Sequence, residues 1–280
     1  MTPPSPTPNP TGRRPLNRAR PLFVALAALL AVYLAVAYAA APVFWRHYER
    51  QPALAVKAMT TTTALGLPGD ALNVGLEGDR DAVLCALRAA GWRPADPITW
   101  RSSVHIASSV LLRRAYPTAP VSDLFYDGRR QDLAFEKAAG LSPRERHHVR
   151  FWLALDEGAS GRPLWLGSAT FDRSVGVSRY TGAVTHHIAA DIDAERDRLT
   201  ADLAAAGVVE GTYEVSGVGP TLFARNGGGD PYFTDGEIVV SRLSPGCRTI
   251  PGAPPALAPP PAVAAKNAVF VWLEAAWRRL

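Results

Sequence analysis

Four of the six histidines in this 280-residue chain stand in two doublets, His147-His148 and His186-His187. Arg144, Arg146 and Arg150 crowd the first doublet, and Arg173 lies between the two. An imidazole donates or accepts a proton near neutral pH or binds a metal, and a guanidinium grips phosphate or carboxylate through two parallel hydrogen bonds. Three readings follow. In the first, Arg144, Arg146, Arg150 and Arg173 form an anion site, and one histidine of each doublet moves protons. In the second, one histidine of each doublet joins Asp191 or Asp193 in a three-ligand open site, as catalytic zinc requires. In the third, the histidines are satisfied structural groups and the arginines pair with Asp172, Asp191 and Asp193.

Strand geometry narrows the choice. If residues 147–155 form a strand, His147, Val149, Phe151, Leu153 and Leu155 point one way, and His148, Arg150, Trp152 and Asp156 the other. Neighbouring histidines on a strand cannot serve one centre, so at most one of each doublet is functional. His148, beside Arg150, and His187, four residues before Asp191 and able to share a helical face with it, are the two candidates. Nothing resembles HExxH or another tight ligand spacing. No cofactor is therefore favoured, and His187 with Asp191 is the pair for a metal such as zinc. Asp132 and Glu136, with Lys137, are candidate general acid/base groups, but the alternation of Leu133 and Phe135 reads them as solvent-facing strand residues. Asn226 to Asp230, Asn-Gly-Gly-Gly-Asp, lacks a following Lys-Ser/Thr and reads as a flexible loop. No GxSxG elbow presents a serine nucleophile.

The elements that must position these residues are legible as periodicities. Alternation predicts strands at Leu72–Leu76, Asp123–Tyr126, Ala134–Lys137, His147–Leu155, Leu164–Phe171, Tyr213–Val218 and Glu237–Leu243. Asp79 or Asp81 caps a helix carrying Val83, Leu84, Leu87 and Ala90 at helical spacing, and Gly91 ends it. A second helix is expected from Ser102 or Ser103 to Tyr116, before Pro117, and a third from Asp191 to Ala206. Strands on both sides of about three packed helices, with hairpin-like spacing between them, predict an α+β fold with a mostly antiparallel sheet.

Leu22 to Trp45 carries no charge, and twenty-four helical residues rise roughly 36 Å, enough to cross a membrane. Arg13, Arg14, Arg18 and Arg20 all precede it, which predicts a cytoplasmic N-terminus and an exported body. A cleaved signal peptide with Ala37-Tyr38-Ala39 as its processing site is the alternative to an uncleaved anchor, and exports the body equally. The expected organisation is a basic tail (1–20), a transmembrane helix (21–45), a stalk (46–68), a folded domain (69–247), a Pro/Ala-rich linker (248–263) and an amphipathic C-terminal helix (264–280). The first twenty residues hold +4 and the last fifteen +2, so the formal +5 of the whole leaves about −1 for residues 21–265. A neutral body argues against a nucleic-acid groove. Cys85 and Cys247 either pair, as an oxidising compartment permits, or remain two buried thiols.

Residues 128–197 read GRRQDLAFEK, SPRERHHVRFW, ATFDRSVGVS and THHIAADIDAERD in order. With AAGWRPADP (89–97) and YPTAPVS (116–122), they resemble the LssY C-terminal domain family over roughly residues 68–245. The resemblance implies a bacterial envelope setting, either alone behind a membrane span or beside integral membrane proteins of the PAP2 phosphatase and DedA types. It brings no catalytic residues to carry over. The expected function is binding or hydrolysis of anionic, phosphate-bearing envelope substrates such as lipid headgroups. The alternatives are a non-catalytic module that positions a membrane partner and, more remotely, a metal-dependent hydrolase.

Overall fold

The computed structural model describes residues 19–43, 50–95, 123–140, 145–182, 184–217 and 223–261, with 264–265, 268–269 and 272 in the C-terminal tail. The chain divides into two compact units, Met1–His47 and Tyr48–Leu280. The first holds helix α1 (Ala19–Ala35), which continues through a π-helical turn at Val36–Ala40. From Pro21 to Val43 this helix runs 23 residues with a mean hydropathy of 2.5 and no buried side chains, long and apolar enough to cross a membrane.

The second unit is α+β and mostly antiparallel. Its strands are β1 (Thr60–Thr62), β2 (Pro68–Ala71), β3 (Val74–Glu77), β4 (Arg93–Pro94), β5 (Phe125–Tyr126), β6 (Arg129–Arg130), β7 (Leu133–Ala138) and β8 (Arg146–Leu155). They continue with β9 (Leu164–Val177), β10 (Val184–Ile188), β11 (Val209–Ser216), β12 (Phe223–Arg225), β13 (Pro231–Phe233) and β14 (Glu237–Leu243). Among the described residues two α-helices accompany them, α2 (Arg80–Ala89) and α3 (Asp193–Ala205). The main sheet runs β11-β14-β3-β9-β8-β7-β4, with β10 also paired to β9. β14 and β3 are parallel, and its other pairs are antiparallel. A smaller sheet runs β2-β1-β5-β6.

Alternation along the strands divides the main sheet into two faces. Val149 and Phe151 of β8, Phe135 of β7 and Val74 of β3 pack on one face with Val83 and Leu87 of α2 and Leu199 and Leu203 of α3. Trp152, Leu166, Ile238 and Val240 pack on the other face with Leu54, Leu124 and Tyr126 from the segment that carries the small sheet. The residue order of β8 therefore determines which side chains reach the helices and which reach the space under the small sheet.

Several expectations are corrected. The body starts by Arg50, not at residue 69: Gln51 and Leu54 are buried, and Gln51 Nε2 donates to Tyr213 Oη at 2.7 Å. The supposed stalk thus supplies β1 and part of the core. Part of the Pro/Ala-rich linker runs along β11, where the Leu257 amide donates to Thr212 O at 2.7 Å, and the Ile250 amide donates to Gly207 O, just before β11, at 2.6 Å. The second histidine doublet lies on a strand, β10, because α3 begins only at Asp193. The helix expected at 102–116 lies outside the described residues, as does most of the C-terminal helix. Cys85 and Cys247 are joined by a disulfide.

Candidate functional site

The alternation of β8 puts Arg146, His148 and Arg150 side by side on the small-sheet face, on the floor of a cleft of about 400 Å³. Asp172 of β9 and His186 of β10 line the same cleft, as do Asp70 of β2, Asp123, and Asn226, Gly227 and Gly228 between β12 and β13. Register explains the convergence. Arg146 stands opposite Asp172 and His148 opposite Thr170 in the β8–β9 ladder.

Each charged floor residue has a buried countercharge. Arg146 Nε donates to Asp172 Oδ2 at 2.9 Å, and its Nη1 donates to Glu136 Oε2 at 3.0 Å. Arg150 Nη1 donates to Asp70 Oδ2 over a longer 3.4 Å. Burial pulls the Arg150 guanidinium below the usual arginine value, and Asp70 and Asp172 only partly oppose it. Burial alone would raise the Asp172 carboxyl, but His148, His186 and Arg146 outweigh it and hold the group well below the ordinary carboxylate range. His186 shows the reverse balance. Desolvation pushes its pKa down to about 4 despite Asp172, with Arg146, His148 and Arg150 acting in the same direction, so the imidazole is neutral at neutral pH. It is also the more accessible of the two cleft histidines, with a quarter of its side chain exposed and Nδ1 4.0 Å from Asp172 Oδ2.

His148 is wedged between β9 side chains. Its Nε2 shares a 2.5 Å hydrogen bond with Thr170 Oγ1, and its Nδ1 lies 3.2 Å from Asp172 Oδ1. The facing imidazole and carboxylate form a buried pair that helps hold Asp172 ionised. Hydroxyl, imidazole and carboxylate in a row resemble a nucleophilic triad. The order is inverted, however, because the carboxylate borders the cleft while buried Thr170 does not line it. Thr170 is therefore a positioning group that fixes the ring of His148.

The residues singled out in the sequence scatter. Arg146, His148 and Arg150 come together, whereas Arg144 lies outside the described residues. Arg173 is exposed at an irregularity in the β9–β10 ladder and does not line the cleft. His187 turns away from His186 onto the opposite face of β10, where its ring occupies the space above Gly176 and Nδ1 bonds Asp230 Oδ1 at 2.7 Å. Asp191 Oδ1 instead accepts the Ala194 amide at 3.0 Å, and Asp193 Oδ1 accepts the Thr234 hydroxyl at 2.7 Å. The metal pair of His187 and Asp191 is thus split between two other tasks. Among the described residues no group of three or more His, Cys, Asp or Glu side chains is placed to hold a metal ion.

His147 is a satisfied core histidine. Its Nδ1 lies 2.8 Å from Glu195 Oε2 of α3, and its ring lies against Phe171. Glu136 is buried on Arg146 rather than facing solvent. Asn226 to Asp230 is a fixed turn rather than a flexible loop, with Asn226 Oδ1 accepting the Gly228 and Asp230 amides at 3.0 and 2.9 Å. Sequence reasoning passed over His186, Asp172 and Asp70 as cleft residues. Only the i, i+2, i+4 spacing of Arg146, His148 and Arg150 carried a usable signal.

Comparison with known proteins matches the family described as LssY C-terminus over residues 45–238, and no curated protein or solved structure matches the chain. The matched stretch contains every described residue that lines the cleft, from Thr63 to Gly228. With more than half of its length covered, the chain belongs to the LssY C-terminus family.

Proposed function

We propose that the cleft binds a phosphate-bearing headgroup of the cell envelope, with His186 and His148 available for proton transfer if the phosphoester is cleaved. One observation carries this reading. A single strand face presents two buried guanidiniums and an imidazole to an open cleft whose wall holds a neutral, accessible His186. The setting agrees with an exported, membrane-tethered body: arginines precede the apolar helix, and the disulfide suits an oxidising compartment. An integral membrane partner of the PAP2 or DedA type fits that setting.

The carboxylates favour a second reading. Arg146 and Arg150 are already matched by Glu136, Asp172 and Asp70, so the same network serves a non-catalytic module that positions a membrane partner. Titrating the full chain in detergent with glycerol phosphate, and assaying a phosphoester panel, separates the two. The headgroup reading expects saturable binding that Arg150→Gln weakens at least ~tenfold, as loss of a charged hydrogen-bonding partner does. If hydrolysis occurs, His186→Ala abolishes turnover while the melting temperature stays the same. Absence of binding leaves the module.

A further inference from the structure

Three turns meet at the mouth of the cleft. In the first, the Gly66 amide donates to Thr63 O at 2.9 Å and the Thr63 amide to Leu67 O at 2.8 Å. In the second, the Tyr180 and Thr181 amides both donate to Ser178 Oγ at 3.3 Å, and the Gly182 amide to Ser178 O at 3.0 Å. The third is the Asn226 turn. The turns are also fastened to one another. The Arg179 amide donates to Gly228 O at 3.0 Å, and a Cβ on Gly229 would come within 2.8 Å of the Arg179 Cβ. A Cβ on Gly227 would collide with the Thr63 methyl group.

Turns fixed in this way expose what they carry by construction, and what they carry is apolar and basic. Leu65 is 73% exposed at the first tip and Tyr180 54% at the second. Phe223, on the strand leading into the third turn, is 78% exposed beside the ring of Phe233. Residues 63–67, 178–182 and 223–230 include Arg179 and Arg225, both exposed, and one acid, Asp230, which is buried under His187. Aliphatic and aromatic tips partition into the headgroup boundary of a bilayer, and arginines among them select anionic lipid. The chain also carries its own membrane-length helix, α1.

We infer that this rim docks on an anionic lipid surface and opens the cleft to headgroups in the bilayer rather than to soluble phosphate. The inference rests on the headgroup reading of the cleft and names the source of the ligand. The test uses the full chain in nanodiscs, either of phosphatidylcholine alone or of equal parts phosphatidylglycerol and phosphatidylcholine, with hydrogen exchange read by mass spectrometry. Docking predicts that exchange in 63–67, 178–182 and 223–230 slows about tenfold in the anionic discs relative to the neutral ones, while α3 is unchanged. A variant with Leu65→Ser, Tyr180→Ser, Arg179→Gln and Arg225→Gln loses that difference and keeps the wild-type melting temperature. Equal exchange in both discs, or slowing that survives the four substitutions, overturns docking. Glycerol phosphate binding to the detergent-solubilised chain separates the two ideas. Intact binding with no slowing removes docking alone, whereas slowing without binding keeps docking and removes the headgroup cleft.

Discussion

The neutral state of His186 is the most exposed consequence of the site at the level of single residues. Its pKa is pushed down to about 4, so between roughly pH 6.5 and 4 the unfolded chain holds a proton that the folded chain does not. Stability from this group is therefore fully present above about pH 6.5 and is lost as pH falls towards 4, on the order of 2–3 kcal/mol. Denaturant melts of wild type and His186→Ala across that range check it, because the pH slope should shrink in the variant. A phosphate in the cleft would raise the same pKa, which predicts tighter glycerol phosphate binding as pH drops below 6 and a matching shift of the His186 ring resonance. Asp172 behaves differently because it is a buried anion between Arg146, His148 and His186. Asp172→Ala leaves Arg146 with Glu136 alone and removes the carboxylate that faces His148, and should cost about 3–5 kcal/mol in a denaturant melt, whereas His186→Ala at neutral pH should cost under ~1 kcal/mol.

At the scale of elements, β9 organises the site. It pairs with β8 through residues 164–172, with β3 through residues 164–167 and with β10 through residues 172–177. Close approach at Gly167 makes this possible, since a Cβ there would sit 2.5 Å from Phe151 Cε1 and 2.7 Å from Val74 Cγ2. Gly167→Ala is expected to overpack the β8–β9–β3 junction and cost about 1–3 kcal/mol, read as a lower thermal midpoint. The register shift between His187 and Ile188 matters as much. The extra residue is Arg173 of β9, which the shift turns out of the ladder, while His186 and Ile188, two apart on β10, both line the cleft. The pattern of β8 was legible in the sequence as strict alternation through Val149, Phe151 and Leu153. The face of β10 was not, since no local signal in Thr185-His186-His187-Ile188 distinguishes a helix entry from a strand with an irregular ladder.

For the whole molecule, the disulfide ties α2 to the segment after β14 across a sequence separation of 162 residues. Closing so long a loop restricts the unfolded chain and should stabilise the body by on the order of 4–5 kcal/mol. Melting with and without a thiol reductant measures this directly, and an unchanged midpoint would remove the disulfide from the account of stability. A C-terminal alkaline phosphatase fusion tests the export of the body, with activity expected only if residues beyond α1 leave the cytoplasm.

The sequence by itself determined the membrane-length helix, the α+β class, the family, and the alternation that separates His147 from His148. All of these depend on local periodicity, charge order or recurrent motifs. The tertiary structure alone decided that His186 rather than His187 joins His148, that Arg173 stays outside, and that Asp70, Glu136 and Asp172 neutralise the arginines. Those partners lie up to 80 residues apart in the chain, as Asp70 and Arg150 do. They meet through ladder register and the cover of a second sheet, and neither leaves a trace in the spacing of residues along one strand.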